Sequence, residues 1–127
     1  MIRWQQTEVE EFFGVEAAYH DGPHSYEFEV SRDGVRLLVT LFDLDGAVYA
    51  SIYRDGLPEP LITLVRESCT HALVVSDTRG RRCLVVGSPE APVTEMGMPP
   101  LLVRGIRIFL EPQLQLEFID HELRGTA

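Results

Sequence analysis

Residues 26–54 read YEFEVSRDGVRLLVTLFDLDGAVYASIYR. Three runs of β-branched and aromatic residues are cut twice by Asp-Gly, at Asp33-Gly34 and at Asp45-Gly46. Asp-Gly between alternating apolar residues marks a two-residue hairpin, because a type I′ turn needs positive φ at both centres. Counting outward from those centres predicts the register. Val30 faces Leu37, Phe28 faces Val39 and Tyr26 faces Leu41; in the second hairpin Leu41 faces Ala50 and Val39 faces Ile52. One face of three strands is then apolar, carrying Tyr26, Phe28, Val30, Leu37, Val39, Leu41, Ala50 and Ile52. A one-residue slip would send Phe28 and Leu41 to opposite sides, so the pattern itself selects the faces.

The opposite face carries Glu27, Glu29, Arg36, Thr40 and Ser51, and among them Leu38, Phe42, Tyr49 and Tyr53. The same counting sets Leu38 opposite Tyr53 and Phe42 opposite Tyr49, which gathers these four into one patch. A solvent-facing apolar patch of that size is a docking feature. Leu38, Phe42, Tyr49 and Tyr53 are therefore the partner-binding candidates. The expected function is a non-enzymatic acidic β domain that binds another protein, or itself as a homodimer, through an exposed sheet face or edge.

Composition narrows the partner. The 127 residues suit a single domain, 1–127, able to bury a sizeable core. Twenty acids oppose eleven bases, a net charge of −9, and every base is an arginine. That balance repels phosphate backbones, and the one basic cluster is Arg79, Arg81 and Arg82 around a turn, so nucleic acid and anionic membrane are poor partners. A basic protein surface is electrostatically suited. No apolar run reaches the roughly 18 residues of a membrane span, and Met1-Ile2-Arg3-Trp4-Gln5-Gln6 lacks a signal-peptide core; the expected location is cytoplasmic. Cys69 and Cys83 make no disulfide framework and read as free thiols packed like small hydrophobes.

Along the chain, Thr7-Glu8-Val9-Glu10 fits a capping box, and Val9, Phe12 and Phe13 share a face before Gly14, which predicts a helix over about 8–13. So short a helix is not stable alone, so it is expected to plug an open end of the β structure with Phe12 and Phe13 both over half buried and Trp4 nearby, the alternative being that it lies across a partner protomer. Residues 15–24 read as a connector. Pro58 and Pro60 keep 57–60 out of a ladder. Residues 61–66, 70–76 and 82–87 read as further strands, joined around Asp77-Thr78-Arg79-Gly80. A two-residue loop there puts Cys69 and Cys83 on opposite faces. A three-residue loop with a glycine bulge puts them on one face, with Cys83 meeting Val75. Residues 88–100 are a Pro-rich stretch, read first as a crossover from one sheet to the other and otherwise as a partner-contact or lid segment. The last hairpin spans 101–110 and 114–119, pairing Leu110 with Leu114, Ile108 with Leu116, Ile106 with Phe118 and Arg107 with Glu117. Residues 121–127 read as a disordered tail.

The expected fold class is mainly β: an antiparallel eight-stranded meander forming a barrel-like roll, or else a two-sheet sandwich, with one short N-terminal helix. A closed barrel would leave room for one small ligand lined by Tyr26, Phe28, Leu41 and Ile52, the alternative function being a small-molecule carrier. A thiol enzyme on Cys69 and His71 is the third reading, since residues i and i+2 share a strand face. His20 and His24 have metal-like spacing, but Gly22-Pro23 breaks the helix that would align them. Asp43-Leu44-Asp45-Gly46 has the opening acids of a calcium loop without its later ligands. Glu27 and Glu29 could act as paired carboxylates, although alternation on a solvated face gives the same spacing. Phosphate-cradling loops, nucleophile elbows and zinc motifs are absent from the sequence, and no cofactor or metal is expected.

Overall fold

A computed structural model describes residues 1–89 and 101–120. Among the described residues the helix α1 (Gln6–Phe13) is followed by nine strands: β1 (Ala18–His20), β2 (Ser25–Arg32), β3 (Val35–Phe42), β4 (Ala47–Arg54), β5 (Ile62–Arg66), β6 (His71–Ser76), β7 (Arg82–Pro89), β8 (Leu102–Phe109) and β9 (Gln115–Asp120). They form two antiparallel sheets in simple chain order, β1-β2-β3-β4-β5 and β6-β7-β8-β9. The protein is mostly β with one short helix, and two packed sheets replace the barrel-like closure. The extra strand is β1, three exposed residues paired to β2 within what reads as a connector.

The break between the sheets has a local cause. At 67–70 the chain leaves the first ladder with Ser68 at a positive φ of 62°. The Cys69 N–H then donates to the Gly46 carbonyl at 2.7 Å, and the Thr70 N–H donates to the Gly87 carbonyl at 2.8 Å. One residue is thus tied to a turn of the first sheet and the next to the second sheet. Gly46 is required twice here: its φ is +76°, and a Cβ would stand 2.9 Å from the Cys69 carbonyl oxygen.

The β2–β3 register is the one predicted, with Tyr26 opposite Leu41, Phe28 opposite Val39 and Val30 opposite Leu37. Asp33 and Gly34 both have positive φ, 51° and 80°, as a type I′ turn demands. The β3–β4 register differs by two. Phe42 pairs with Ala47, so Asp43–Gly46 is a four-residue loop; Leu41 faces Val48 and Val39 faces Ala50. A shift of two keeps every side chain on its predicted face. Phe28, Leu37, Val39, Leu41, Val48 and Ala50 are fully buried.

Those residues meet Ala72, Leu84, Val86, Ile106 and Ile108 from the second sheet in one core cluster. Tyr26, Phe28, Leu41 and Ile52 pack into this cluster, filling the space that a carrier's lumen would need. Cys69 belongs to it, whereas Cys83 lies in a separate cluster with Val85, Phe109 and Ile119 on the other side of the second sheet. Both thiols are free. The β6–β7 turn takes its three-residue form: the Asp77 N–H donates to the Arg81 carbonyl at 2.8 Å, and Val75 faces Cys83. The expected shared face of Cys69 and Cys83 does not follow, because β6 starts at His71 and Cys69 lies outside its alternation. In the last hairpin Ile108 faces Leu116, Ile106 faces Phe118 and Arg107 faces Glu117, the charged pair closing to 3.0 Å.

The helix buries Val9, Phe12 and Phe13 against the core, and its backbone lies along β6 and β7. Gly14 ends it in the left-handed conformation, with its N–H on the Glu10 carbonyl. The capping box is not formed: Gln5 occupies the N-cap without a side-chain bond. Glu10 reaches forward instead, accepting from the Ala17 N–H at 2.9 Å and from the Gln6 amide at 3.2 Å. The Ala17 bond, then the Gln6 bond, holds its carboxyl below the usual range. Trp4 packs edge-on to Tyr26 and Phe28. The expected tail at 121–127 lies outside the described residues, as do residues 90–100. The stretch 88–100 is nevertheless not a crossover between sheets, because it joins β7 to β8, which pair within one sheet, and Ser88 and Pro89 extend β7.

Candidate functional site

The outer face of the first sheet is built by strand alternation. On β3, Leu37, Val39 and Leu41 turn inward, so Arg36, Leu38, Thr40 and Phe42 turn outward. On β4, Val48 and Ala50 are inward and Tyr49, Ser51 and Tyr53 outward. The two-residue register difference changes the neighbours within this face. Leu38 stands opposite Ser51, Thr40 opposite Tyr49 and Arg36 opposite Tyr53.

The candidate residues therefore form two contacts rather than one block. The Phe42 and Tyr49 rings pack edge-to-face on the diagonal, with centroids 5.3 Å apart. Tyr53 lies under the Arg36 guanidinium at 4.3 Å, and Leu38 is half-buried on the same outer face. Two neighbours on β5, Val65 and Thr63, went unnoticed in the sequence. Val65 on β5 pairs with Tyr49 and is 41% exposed, against 43% for Tyr49 itself; the alternation of residues 62–66 could have revealed it. Ser51 and Thr63 continue the face as a hydroxyl pair at 2.9 Å.

Charge surrounds this apolar centre. Glu29 pairs with Arg36 at 3.4 Å, and Glu27 with His20 at 2.8 Å. Each carboxylate thus has its own partner, and the two do not act as a catalytic couple. The strand turns at one end carry Asp33 and Asp55, and at the other Asp43 and Asp45. The balance is uneven along the chain: residues 1–67 hold thirteen acids and five arginines, residues 68–127 seven acids and six arginines. Nearly all the net negative charge belongs to the half that contains the first sheet.

The remaining candidates are dispersed. His24 bonds Asp43 at 3.0 Å, away from the His20–Glu27 pair. Among the described residues no three His, Cys, Asp or Glu side chains converge as metal ligands. The Cys69 thiol donates to the Arg66 carbonyl, while the His71 ring bonds the Thr70 hydroxyl at 2.8 Å. Burial pushes the Cys69 thiol up to about 11, against the opposing pull of Arg66. Burial, then the Arg3 charge, holds His71 below its usual value. A protonated, buried thiol with its imidazole neighbour turned to a hydroxyl is not an activated nucleophile.

No protein-family model and no curated protein sequence matches this chain. Its fold, however, is similar to a chain of a "Contact-dependent growth inhibition toxin - immunity protein complex from Klebsiella pneumoniae 342", with a TM-score of 0.65, 12% identity, and coverage of 91% of this chain and 92% of that one.

Proposed function

We propose that this chain is a non-enzymatic protein-binding domain that seats a basic partner protein on the outer face of its first sheet. The observation that carries the reading is the pair of exposed side chains Tyr49 and Val65, with half-buried Phe42 against Tyr49, on a face bracketed by aspartates at both ends. An apolar aromatic centre within a charged rim is the anatomy of a protein interface, where the centre supplies affinity and the rim supplies steering. The similar fold comes from a complex of two proteins, which supports a protein as the ligand. The acidity of residues 1–67 favours a partner of opposite sign.

A photo-crosslinking residue at Tyr49 tests this in living cells. It should yield one dominant adduct with a second, basic protein, while the same group at Arg104 on the second sheet yields none. Equal adducts from both positions, or none from Tyr49, would remove this face from the proposal. An adduct with a second copy of this chain, with a dimer by light scattering, would make the interface homodimeric.

A further inference from the structure

Between α1, the β6–β7 turn and the β8–β9 turn lies a cavity of about 560 Å³, lined by Phe12, Arg32, Arg81, Arg82, Leu110 and Glu111 among others. It brings three of the arginines of an acidic protein to one opening. Two of them are held in place. Arg32 Nη1 donates to the Leu110 carbonyl and to Glu111 Oε2, both at 2.6 Å. Arg81 grips Asp77 twice, through Nε at 2.9 Å and Nη2 at 2.8 Å, and its guanidinium lies 4.3 Å over the Phe109 ring. The third, Arg82, is exposed, sits 5.7 Å over the Phe12 ring, and has no carboxylate within ion-pair distance among the described residues.

We propose that this cavity is a binding site for a small organic oxyanion, a carboxylate or phosphate carried on an apolar body. A planar guanidinium presents paired donors that match either headgroup. Arg82 offers its full set, and Arg32 and Arg81 keep N–H groups beyond those committed to Glu111 and Asp77. Phe12, Leu110 and Pro112 supply an apolar lining for the rest of the ligand. The volume falls in the range of small-molecule sites. Glu111 competes for Arg32 from the rim, its side chain 78% exposed, so it acts as a gate that an incoming anion displaces. The site is separate from the outer face of the first sheet and stands or falls independently of it.

Titration of the isotope-labelled protein with benzoate, phenyl phosphate, inorganic phosphate and neutral benzyl alcohol, followed by amide and arginine side-chain NMR, tests the site. Benzoate or phenyl phosphate should give saturable shifts centred on Gly80, Arg82 and Glu111 below about 1 mM; the tighter of the two names the headgroup. Arg82→Gln should weaken that binding about tenfold, and Arg104→Gln, near the opposite end of β8 from the cavity, should leave it unchanged. Glu111→Gln should tighten it by freeing Arg32, a gain that a purely structural role for these side chains does not produce. Absence of saturable shifts at about 10 mM, or equal effects of Arg82→Gln and Arg104→Gln, overturns the site. Inorganic phosphate or benzyl alcohol binding as tightly as phenyl phosphate overturns its organic-anion character.

Discussion

The rings of Phe13 and Phe28 stack with centroids 4.7 Å apart and 21° between their planes, fastening α1 to the inner face of the first sheet. Because α1 runs along β6 and β7 of the other sheet, this one contact ties the helix to both layers. The eight-residue helix is too short to persist in isolation, so its order depends on that burial. Phe13→Ala should destabilise by roughly 3–5 kcal/mol, the cost of removing a buried aromatic ring. Removing residues 1–14 should lower the melting temperature by more than about 10 °C. A truncated chain that melts as the full one does would show the helix to be dispensable to the core.

Gly34 and Gly46 both occupy positive φ, at 80° and 76°, but only Gly46 faces backbone at close range. The nearest atom to a Cβ at Gly34 is the Asp55 carboxylate oxygen at 3.9 Å. Gly34→Ala should therefore cost only the conformational strain, about 1 kcal/mol. Gly46→Ala should cost clearly more, because the Cys69 carbonyl must move and with it the link between the sheets. Urea midpoints for the two variants give the comparison directly; equal losses would contradict the close approach.

Tyr49→Ser with Val65→Ser should change unfolding free energy by less than about 1 kcal/mol, since both side chains are largely outside the core. The same double variant should abolish the crosslinked partner adduct while keeping the wild-type circular dichroism spectrum. A large stability loss would mean that these side chains serve the fold rather than a partner.

The Cys69 thiol is raised from an ordinary value of 9.0 to about 11 by burial. The unfolded chain ionises this group first, so over that interval the folded chain binds more protons. Its contribution to stability is whole below about pH 9 and is lost as the pH climbs toward 11. Wild-type protein should lose more stability than Cys69→Ala between about pH 8 and pH 10.5, read as a difference in urea midpoints. The opposite ordering would mean that Cys69 is not desolvated in the folded state.

Asp33-Gly34 was enough to set the β2–β3 register, because two residues with positive φ leave only one way to close a two-residue turn. Asp45-Gly46 carried the same signal and closed a four-residue loop, since Gly46 answers to Cys69, a residue distant in sequence. The faces survived that difference; the pairs did not, which is why Leu38 and Tyr53 are not opposite one another. β1 escaped notice because its three residues are exposed and carry no alternation. Glu10 fitted a capping pattern, yet its strongest bond lies seven residues ahead, at Ala17. The arginine cavity depends on Arg32 meeting Glu111, 79 positions away, a juxtaposition that local pattern does not encode.

The order of the two sheets along the chain sets a sequence of events during synthesis. Each sheet is a meander of consecutive strands, so strands β1–β5 need nothing downstream to pair. The opening segment is different: Arg3 bonds Thr70 and Ala72, and α1 rests on β6 and β7. Residues 1–14 emerge before any strand yet are among the last parts of the fold to be seated. Until β6 and β7 emerge, Phe12, Phe13 and the inner face around Phe28 stay uncovered together, making the nascent first half the state most in need of a chaperone.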